Sequence, residues 1–333
     1  MSDLPHQITS YDVIARASHC NICRIPQTST VTTKMLRIEE QNKKVRDIIA
    51  GDQDDATKID AITKVRGWFG PHDNSSKYPI VQDCLDERIK LEEATMKLVT
   101  PIDESISAER LDDVDFMDLW YSIIHSARRI HYRDINAHKS LADIVLQFKE
   151  HSIPGNEKYN YLYSSLTDFL MASREAYNDP PTPGLSFDLE ITAWANLNFF
   201  FALLTGKEIA DNSLFAIWAM RQALEIPHED DEQSTALQKY DTYVPAAATW
   251  AFGAQTVLFS KEEDLTPRDK KQGNPGRGGT LWTGKAEFSQ SRWHFWSERF
   301  AEIGMSEKIS ETTKVVAKDA VEAMERAATF EKM

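Results

Sequence analysis

Apolar residues recur three and four positions apart along almost the whole chain, and runs that alternate apolar with polar residues are scarce. Spacings of three and four place apolar side chains on one stripe of an α-helix, whereas a half-buried strand requires strict alternation. The pattern therefore predicts an all-α fold, a multi-helix array of about twelve helices with no significant sheet. The predicted helices cover residues 10–22, 33–50, 55–68, 80–98, 112–130, 135–150, 157–177, 187–205, 212–226, 243–260, 289–303 and 307–331.

The net charge and the length of the apolar runs limit the possible localisation of the protein and its classes of partner. The formal net charge is −14, from 38 basic and 52 acidic residues. A negative surface repels phosphate backbones and anionic lipid headgroups, which disfavours nucleic acid and membranes as partners. The amino terminus lacks a basic region followed by an apolar run, and the apolar stretches 191–204 and 243–259 are too short to span a membrane. These features predict a soluble, cytoplasmic protein.

The three cysteines indicate a reducing compartment rather than a disulfide framework. Cys20 and Cys23 have the spacing of half a zinc site, but a structural zinc needs four ligands and no second Cys or His pair follows at a usual interval. We therefore predict neither a metal site nor a cofactor, and we interpret the two cysteines as half-buried packing residues.

Clusters of Pro, Gly, Asn and Asp divide the chain at residues 70–79, 178–184 and 226–234. Residues 1–78 are more polar than the rest and are predicted to form a helical N-terminal arm. Residues 79–333 are predicted to form a single all-helical domain. Its longest interruption, 260–285, is polar, Gly-rich and locally basic, which is typical of an exposed, mobile loop.

The segment SRWHFWSERF (291–300) carries an unusual number of rings. Ser289 is a plausible N-cap for a helix here. The residues Trp293, Trp296, Phe300 and Ile303 then fall on one stripe, which is predicted to dock on the core. A second face, formed by Arg292, Phe295 and Arg299, is suited to stacking or to pairing with acids.

Polar groups also occur inside the most apolar predicted helices. Asn198 shares a face with two rings, and the helix over 212–226 carries Arg221 and Glu225, which could pair with each other one turn apart. If these helices converge, they form a polar pocket with tryptophan walls, which suits a small organic acid. Its members would be Arg174, Glu175, Asn198, Arg221, Glu225 and Arg292, with Trp194, Trp218, Trp250 and Trp293 as walls. The alternative is an internal salt-bridge network that fixes the helix packing.

A run of acids opens the helix predicted over 112–130, with Asp112, Asp113, Asp115 and Asp118 in LDDVDFMDLW. Such carboxylates collect Mg²⁺ around a diphosphate in class I isoprenoid cyclases. The second motif of those enzymes is incomplete, because Gln238 stands where a glutamate ligand is expected in DDEQSTALQ. The competing interpretation is that these acids complement the helix dipole.

Eight motifs follow one another in a fixed order: DLWYSIIHSARRI, SREAYNDPP, WANLNFFFALLTG, LFAIWAMRQALE, VPAAATWAFGAQTVLF, LWTG, FSQSRWHFWSERF and AKDAVEAME. Their succession resembles a helical family of filamentous fungi that includes the oxopyrrolidine biosynthesis cluster protein G. The resemblance covers roughly residues 115–328. It implies a place in secondary metabolism, beside polyketide or hybrid polyketide–peptide synthases, and supplies no catalytic residues.

Together these observations favour an accessory or tailoring protein that binds a small hydrophobic acidic metabolite. Arg221 and Arg292 would anchor an anionic oxygen, and Glu175 or Glu225 would be the first candidates for proton transfer. The first alternative is a non-enzymatic helical scaffold that contacts a protein partner through the 260–285 loop. The second is the metal-dependent isoprenoid cyclase.

Overall fold

The computed structural model describes residues 27–269, 271 and 273–330. Its helices are α1 (Gln27–Ile49), α2 (Asp55–Arg66), α3 (Tyr78–Leu85), α4 (Leu91–Ser107), α5 (Phe116–Arg129), α6 (Ile135–Glu150), α7 (Tyr161–Ser164), α8 (Phe169–Ala176), α9 (Asp188–Gly206), α10 (Ser213–Leu224), α11 (Ala236–Gly253), α12 (Gln255–Ser260), α13 (Gln290–Met305) and α14 (Glu311–Phe330). Strands β1 (Glu263–Asp264) and β2 (Glu287–Phe288) form the one sheet in these residues, an antiparallel pair. The predicted all-α fold is confirmed, while the helix predicted over 10–22, with Cys20 and Cys23, lies outside the described residues.

Two of the predicted helices are broken at positions that no Gly or Pro marks. The helix predicted over 80–98 is divided into α3 and α4, and Glu87 between them has a φ of 58°. The helix predicted over 157–177 is divided around Leu166 and Asp168, which also have positive φ. Such residues leave the right-handed helical region, so the chain turns there although its apolar spacing continues.

Other boundaries moved because capping groups fix where helices begin. The helix predicted from 112 begins at Phe116, since the Asp115 side chain accepts hydrogen bonds from the first amides of α5. The helix predicted over 243–260 begins at Ala236, where Thr235 and Gln238 form a capping box. It ends at Gly253, and the short helix α12 follows after Ala254.

Helix α9 lies at the centre of the fold. Its sequence is apolar on every side, and every residue from Ala193 to Thr205 is buried. It packs against α11 along most of its length and also contacts α5, α6 and α2. In turn, α11 packs against α10 and α14, and α13 packs against α14. No helix in the described ranges combines the length and hydropathy that crossing a bilayer requires.

The crossing of α9 and α11 depends on Gly253. A Cβ added there would lie 2.8 Å from the Leu203 amide nitrogen and 2.8 Å from the Ala202 Cβ. We expect Gly253→Ala to lower the free energy of unfolding by about 1–3 kcal/mol, because backbone atoms cannot yield cheaply. Chemical denaturation measures this loss. The matched control is Gly304→Ala near the end of α13, where the added Cβ would come closer than 3.0 Å to the flexible Lys318 side chain and to no backbone atom. Equal stability of the two variants would contradict the prediction.

Residues 55–78, within the predicted N-terminal arm, contact the rest of the fold. Ile59 and Ile62 are buried, and Arg66 forms a bidentate ion pair with Glu190 of α9, with N···O distances of 2.6 and 2.9 Å. Asp60 accepts a 2.7 Å hydrogen bond from Nε2 of the buried His125. These contacts place α2 against α5 and α9. The domain division at residue 78 remains a prediction.

Candidate functional site

The aromatic stripe of α13 is a core-docking face, as predicted. Ser289 caps the helix by accepting a 3.2 Å hydrogen bond from the Arg292 amide. The four stripe residues Trp293, Trp296, Phe300 and Ile303 are all buried. The second predicted face does not behave as a unit, because Arg292 is fully buried while Phe295 and Arg299 are half-buried.

Arg292 pairs with Glu225 at the carboxyl end of α10. The Arg292 Nε and Nη2 atoms lie 2.8 and 3.0 Å from the two Glu225 carboxylate oxygens, and both side chains are 0% exposed. The Trp296 indole and the Gly279 amide donate further 2.7 Å hydrogen bonds to the same carboxylate. The predicted pairing of Glu225 with Arg221 is therefore wrong, because Glu225 follows the last turn of α10 and turns away from Arg221 toward α13.

This ion pair also anchors the second half of the 260–285 segment. Arg292 Nη1 donates to the carbonyls of Gly276 at 2.9 Å and Glu287 at 2.8 Å, and the Leu281 amide donates to the Glu225 carbonyl at 2.9 Å. A Cβ at Gly279 would collide with the Glu225 backbone, so only glycine allows this approach. Residues 276–281 are thus held against α10 and α13, whereas the sequence predicted one exposed loop.

Asn198 and Trp250 form a second sealed pair between α9 and α11. The Trp250 indole donates a 2.9 Å hydrogen bond to Asn198 Oδ1, and Asn198 Nδ2 donates at 2.9 Å to the Trp194 carbonyl. Both side chains are fully buried. Their polar atoms are therefore used within the core.

A surface cavity of about 470 Å³ lies beside α8 and α10, under residues 273–277 and next to the β1–β2 pair. We call it the cationic cavity. Its described lining residues are Leu170, Arg174, Asp211, Asn212, Ser213, Leu214, Phe215, Trp218, Arg221, Lys261, Glu263, Leu265, Gly273, Asn274, Pro275, Arg277 and Phe288.

Cations exceed acids in this lining, although the whole chain is strongly acidic. Lys261 is already paired, with Asp211 at 3.0 Å and Glu263 at 3.4 Å. By contrast, the side chains of Arg174 and Arg277 make no hydrogen bond or ion pair with any residue that the structure describes. Among the described residues, these two guanidinium groups of the cavity have no protein partner, which leaves their donors available to an anion.

Arg221 contacts the loop that carries Arg277. Its Nη1 donates to the carbonyls of Pro275 at 3.2 Å and Arg277 at 3.0 Å, and the Trp218 indole donates to the Pro275 carbonyl at 3.0 Å. Burial, followed by the nearby positive charge of Arg277, lowers the pKa of Arg221. An anion bound between the two guanidinium groups would relieve their repulsion.

A second cavity of about 390 Å³ shares Trp218 and Arg221 with the first. We call it the aromatic cavity. Its described lining residues are Tyr177, Pro180, Pro181, Thr182, Pro183, Trp194, Trp218, Ala219, Arg221, Gln222, Tyr243 and Ala246. The Tyr177 ring lies 4.7 Å from that of Trp194 and 5.7 Å from that of Trp218, between centroids.

The structure brings only part of the predicted site together. Arg174, Trp194, Trp218 and Arg221 line one or both cavities. The remaining candidates are absent from the described lining of either cavity; they are Glu175, Asn198, Glu225, Trp250, Arg292 and Trp293. Glu175 is exposed on α8, and the other five are buried.

Sequence reasoning missed Lys261, Arg277, Tyr177 and the prolines at 180–183. Tyr177 is the last residue of a predicted helix, and the others belong to segments that were interpreted as loop or helix breaker. The one available signal was local: the 260–285 segment is basic within an acidic chain, and SREAYNDPP ends an aromatic helix at a rigid proline run.

In each acidic run that resembled a cyclase, one aspartate accepts backbone hydrogen bonds, Asp115 at the start of α5 and Asp231 in the turn before α11. Asp115 Oδ1 accepts hydrogen bonds from the amides of Met117 at 2.9 Å and Asp118 at 3.3 Å. Asp231 Oδ1 accepts them from the amides of Gln233 at 2.9 Å and Ser234 at 2.8 Å. Within the described residues, no group of three His, Cys, Asp or Glu side chains is arranged to hold a metal ion.

The fold and these two cavities define an all-helical protein with a cation-rich pocket. The chain belongs to a family of proteins of unknown function, DUF3632, whose model matches residues 120–300, more than half of its length. This match includes α9, α10, α11 and most of the cavity lining. Neither the curated proteins nor the solved structures gave a match.

Proposed function

We propose that the protein binds a small hydrophobic organic acid in the cationic cavity and serves as an accessory or tailoring protein of fungal secondary-metabolite biosynthesis. The observation that carries the binding proposal is a pair of guanidinium groups, Arg174 and Arg277, which have no partner in the part of the chain that the structure describes and which line one cavity with Arg221. The metabolic context rests on the succession of sequence motifs and on their resemblance to the fungal family.

A guanidinium group suits this role because its planar donors match the two oxygens of a carboxylate or an enolate. Arg221 is already oriented by two loop carbonyls, so little ordering remains to be done when a ligand arrives. The cavity volume of about 470 Å³ falls within the range of small-molecule sites.

The rest of the lining favours a ligand with an apolar portion. Leu170, Phe215, Leu265 and Phe288 line the cavity beside the cations. Leu170 is an exposed large hydrophobic residue, which a ligand could cover. A small polar anion such as sulfate would leave Leu170 in contact with water.

The positions of the acids support binding over proton transfer. The Glu225 carboxylate already accepts hydrogen bonds from Arg292, Trp296 and Gly279. Glu175 is outside the described lining of the cavity. Asp211 and Glu263 do line the cavity, but both lie against Lys261. This arrangement fits a protein that binds or carries an acidic intermediate better than one that removes a proton from it.

The matched test replaces each unpartnered arginine with glutamine. We expect Arg174→Gln and Arg277→Gln each to weaken the binding of 4-phenylbutyrate by about three- to tenfold, since each removes one charge-assisted contact. Isothermal titration calorimetry at low and high NaCl measures this, and the wild-type affinity should fall as salt screens the cations.

Arg326→Gln is the control, because Arg326 is exposed on α14 and lines neither cavity. All three variants change the net charge equally and should unfold at the wild-type temperature. If all three variants lost the same affinity, the effect would come from net charge alone, and the binding proposal would be refuted.

The metabolic role is tested separately by comparing a deletion strain with its parent under conditions where the parent expresses the gene. Unchanged metabolites in the deletion strain would count against a role in secondary metabolism.

A further inference from the structure

The two cavities are joined by a continuous aromatic wall. Phe215 in the cationic cavity lies 5.2 Å from Trp218, between ring centroids, and Trp218 lies 5.7 Å from Tyr177. Tyr177 in turn lies 4.7 Å from Trp194, in the aromatic cavity. The rings that line the two cavities therefore form one contiguous set, with Trp218 and Arg221 at the shared edge.

Their electrostatic characters differ. The described lining of the aromatic cavity holds one charged side chain, Arg221, at the shared edge, whereas the cationic cavity holds several charges. Burial raises the pKa of Tyr177, which stays neutral, and its hydroxyl donates to the Phe215 carbonyl at 3.2 Å. The remaining polar side chains of the aromatic cavity are Thr182, Gln222 and Tyr243. This interior suits uncharged carbon with few polar atoms.

The aromatic cavity is also largely preformed. The three prolines at 180, 181 and 183 restrict the backbone of one wall, which lowers the conformational entropy that binding must remove. The Trp218 indole, which also lines this cavity, is fixed by its hydrogen bond to the Pro275 carbonyl.

We infer that the two cavities are compartments of one site, and that its ligand is a carboxylate or enolate whose aromatic or branched hydrocarbon body occupies the aromatic cavity. The inference rests on the proposed function, since Arg221 can orient such a ligand only if its acidic group binds the cationic cavity. Sugar phosphates and nucleotides are excluded as good ligands, because their polar bodies would lose hydration against proline and indole.

The first test compares two acids on the wild-type protein. We expect 4-phenylbutyrate to bind roughly ten- to a hundredfold more tightly than propionate in calorimetric titrations, because the phenyl group adds buried apolar area. The neutral alcohol 4-phenylbutan-1-ol should bind more weakly than the acid, since it lacks the charge that Arg221 and its neighbours recognise. Equal affinity for the two acids would overturn the inference.

The second test fills the aromatic cavity. Ala219→Leu adds three carbon atoms to its α10 wall and should remove most of the phenylbutyrate advantage while leaving propionate binding unchanged. Ala246→Leu fills the same space from α11 and serves if the first variant unfolds. Ala108→Leu, at an exposed position after α4, is the matched control.

The outcomes separate the two proposals. If neither acid binds the wild-type protein, the proposed function fails and this inference fails with it. If both acids bind equally and both depend on Arg277, only the shared site is refuted. If a folded Ala219→Leu protein bound neither acid, the acidic group and the hydrocarbon body would not occupy separate cavities, which would also contradict the inference.

Discussion

Replacing Glu225 with alanine is expected to lower the free energy of unfolding by about 3–5 kcal/mol, because Arg292 would remain as a buried, uncompensated charge. Both side chains are 0% exposed, so water cannot take the place of the carboxylate. The change also removes the acceptor of the Trp296 indole and of the Gly279 amide. Urea denaturation followed by circular dichroism measures the loss.

Glu302→Ala provides the control for this prediction. Glu302 pairs with Arg299 on the exposed side of α13, where its side chain is 61% accessible. Such a surface pair contributes less than about 1 kcal/mol, so the control should unfold close to the wild type. A Glu225→Ala protein as stable as Glu302→Ala would show that Arg292 does not depend on this carboxylate.

Trp250→Ala is expected to cost a similar amount, about 3–5 kcal/mol, through the cavity that it leaves between α9 and α11. Trp250 is fully buried, and its indole is the donor to Asn198 Oδ1. Removal therefore combines lost packing with an amide oxygen that has no donor in the core. Calorimetric or chemical unfolding gives the size of the loss.

Trp250→Phe separates a structural from a ligand-binding role, because it keeps a ring and removes the indole N–H. We expect a smaller loss of about 1–3 kcal/mol and an unchanged affinity for 4-phenylbutyrate. Trp250 was a predicted ligand contact, yet it is outside the described lining of both cavities. If Trp250→Phe weakened binding as much as Arg277→Gln, the site would have to extend into the core.

The strongest helical patterns were predicted well from the sequence. The prediction of 135–150 coincides with α6, and that of 187–205 differs from α9 by one residue at each end. Both segments combine sustained apolar spacing with clear starts and stops. The divisions near Glu87 and Leu166 were missed, since a positive φ at an ordinary residue leaves no mark on the apolar pattern.

The candidate site shows a similar limit. Trp218 and Arg221 were chosen correctly as neighbours on one helix, because a spacing of three residues sets that relation locally. The partners of Arg221 were not predictable, since they are backbone carbonyls more than fifty residues away in a segment without regular structure. Glu225 was assigned to Arg221 by helical spacing, but it lies just beyond the last turn, where that spacing no longer applies.

The ion pair between Glu225 and Arg292 gives different roles to different residues of one surface segment. Gly279 and Leu281 are hydrogen-bonded to Glu225 at the end of α10, while Asn274, Pro275 and Arg277 line the cationic cavity. Side chains at 274 and 277 can be exchanged while these hydrogen bonds stay intact. Substitutions at these two positions can therefore change which ligand the cavity binds without changing the helices that form the rest of the pocket.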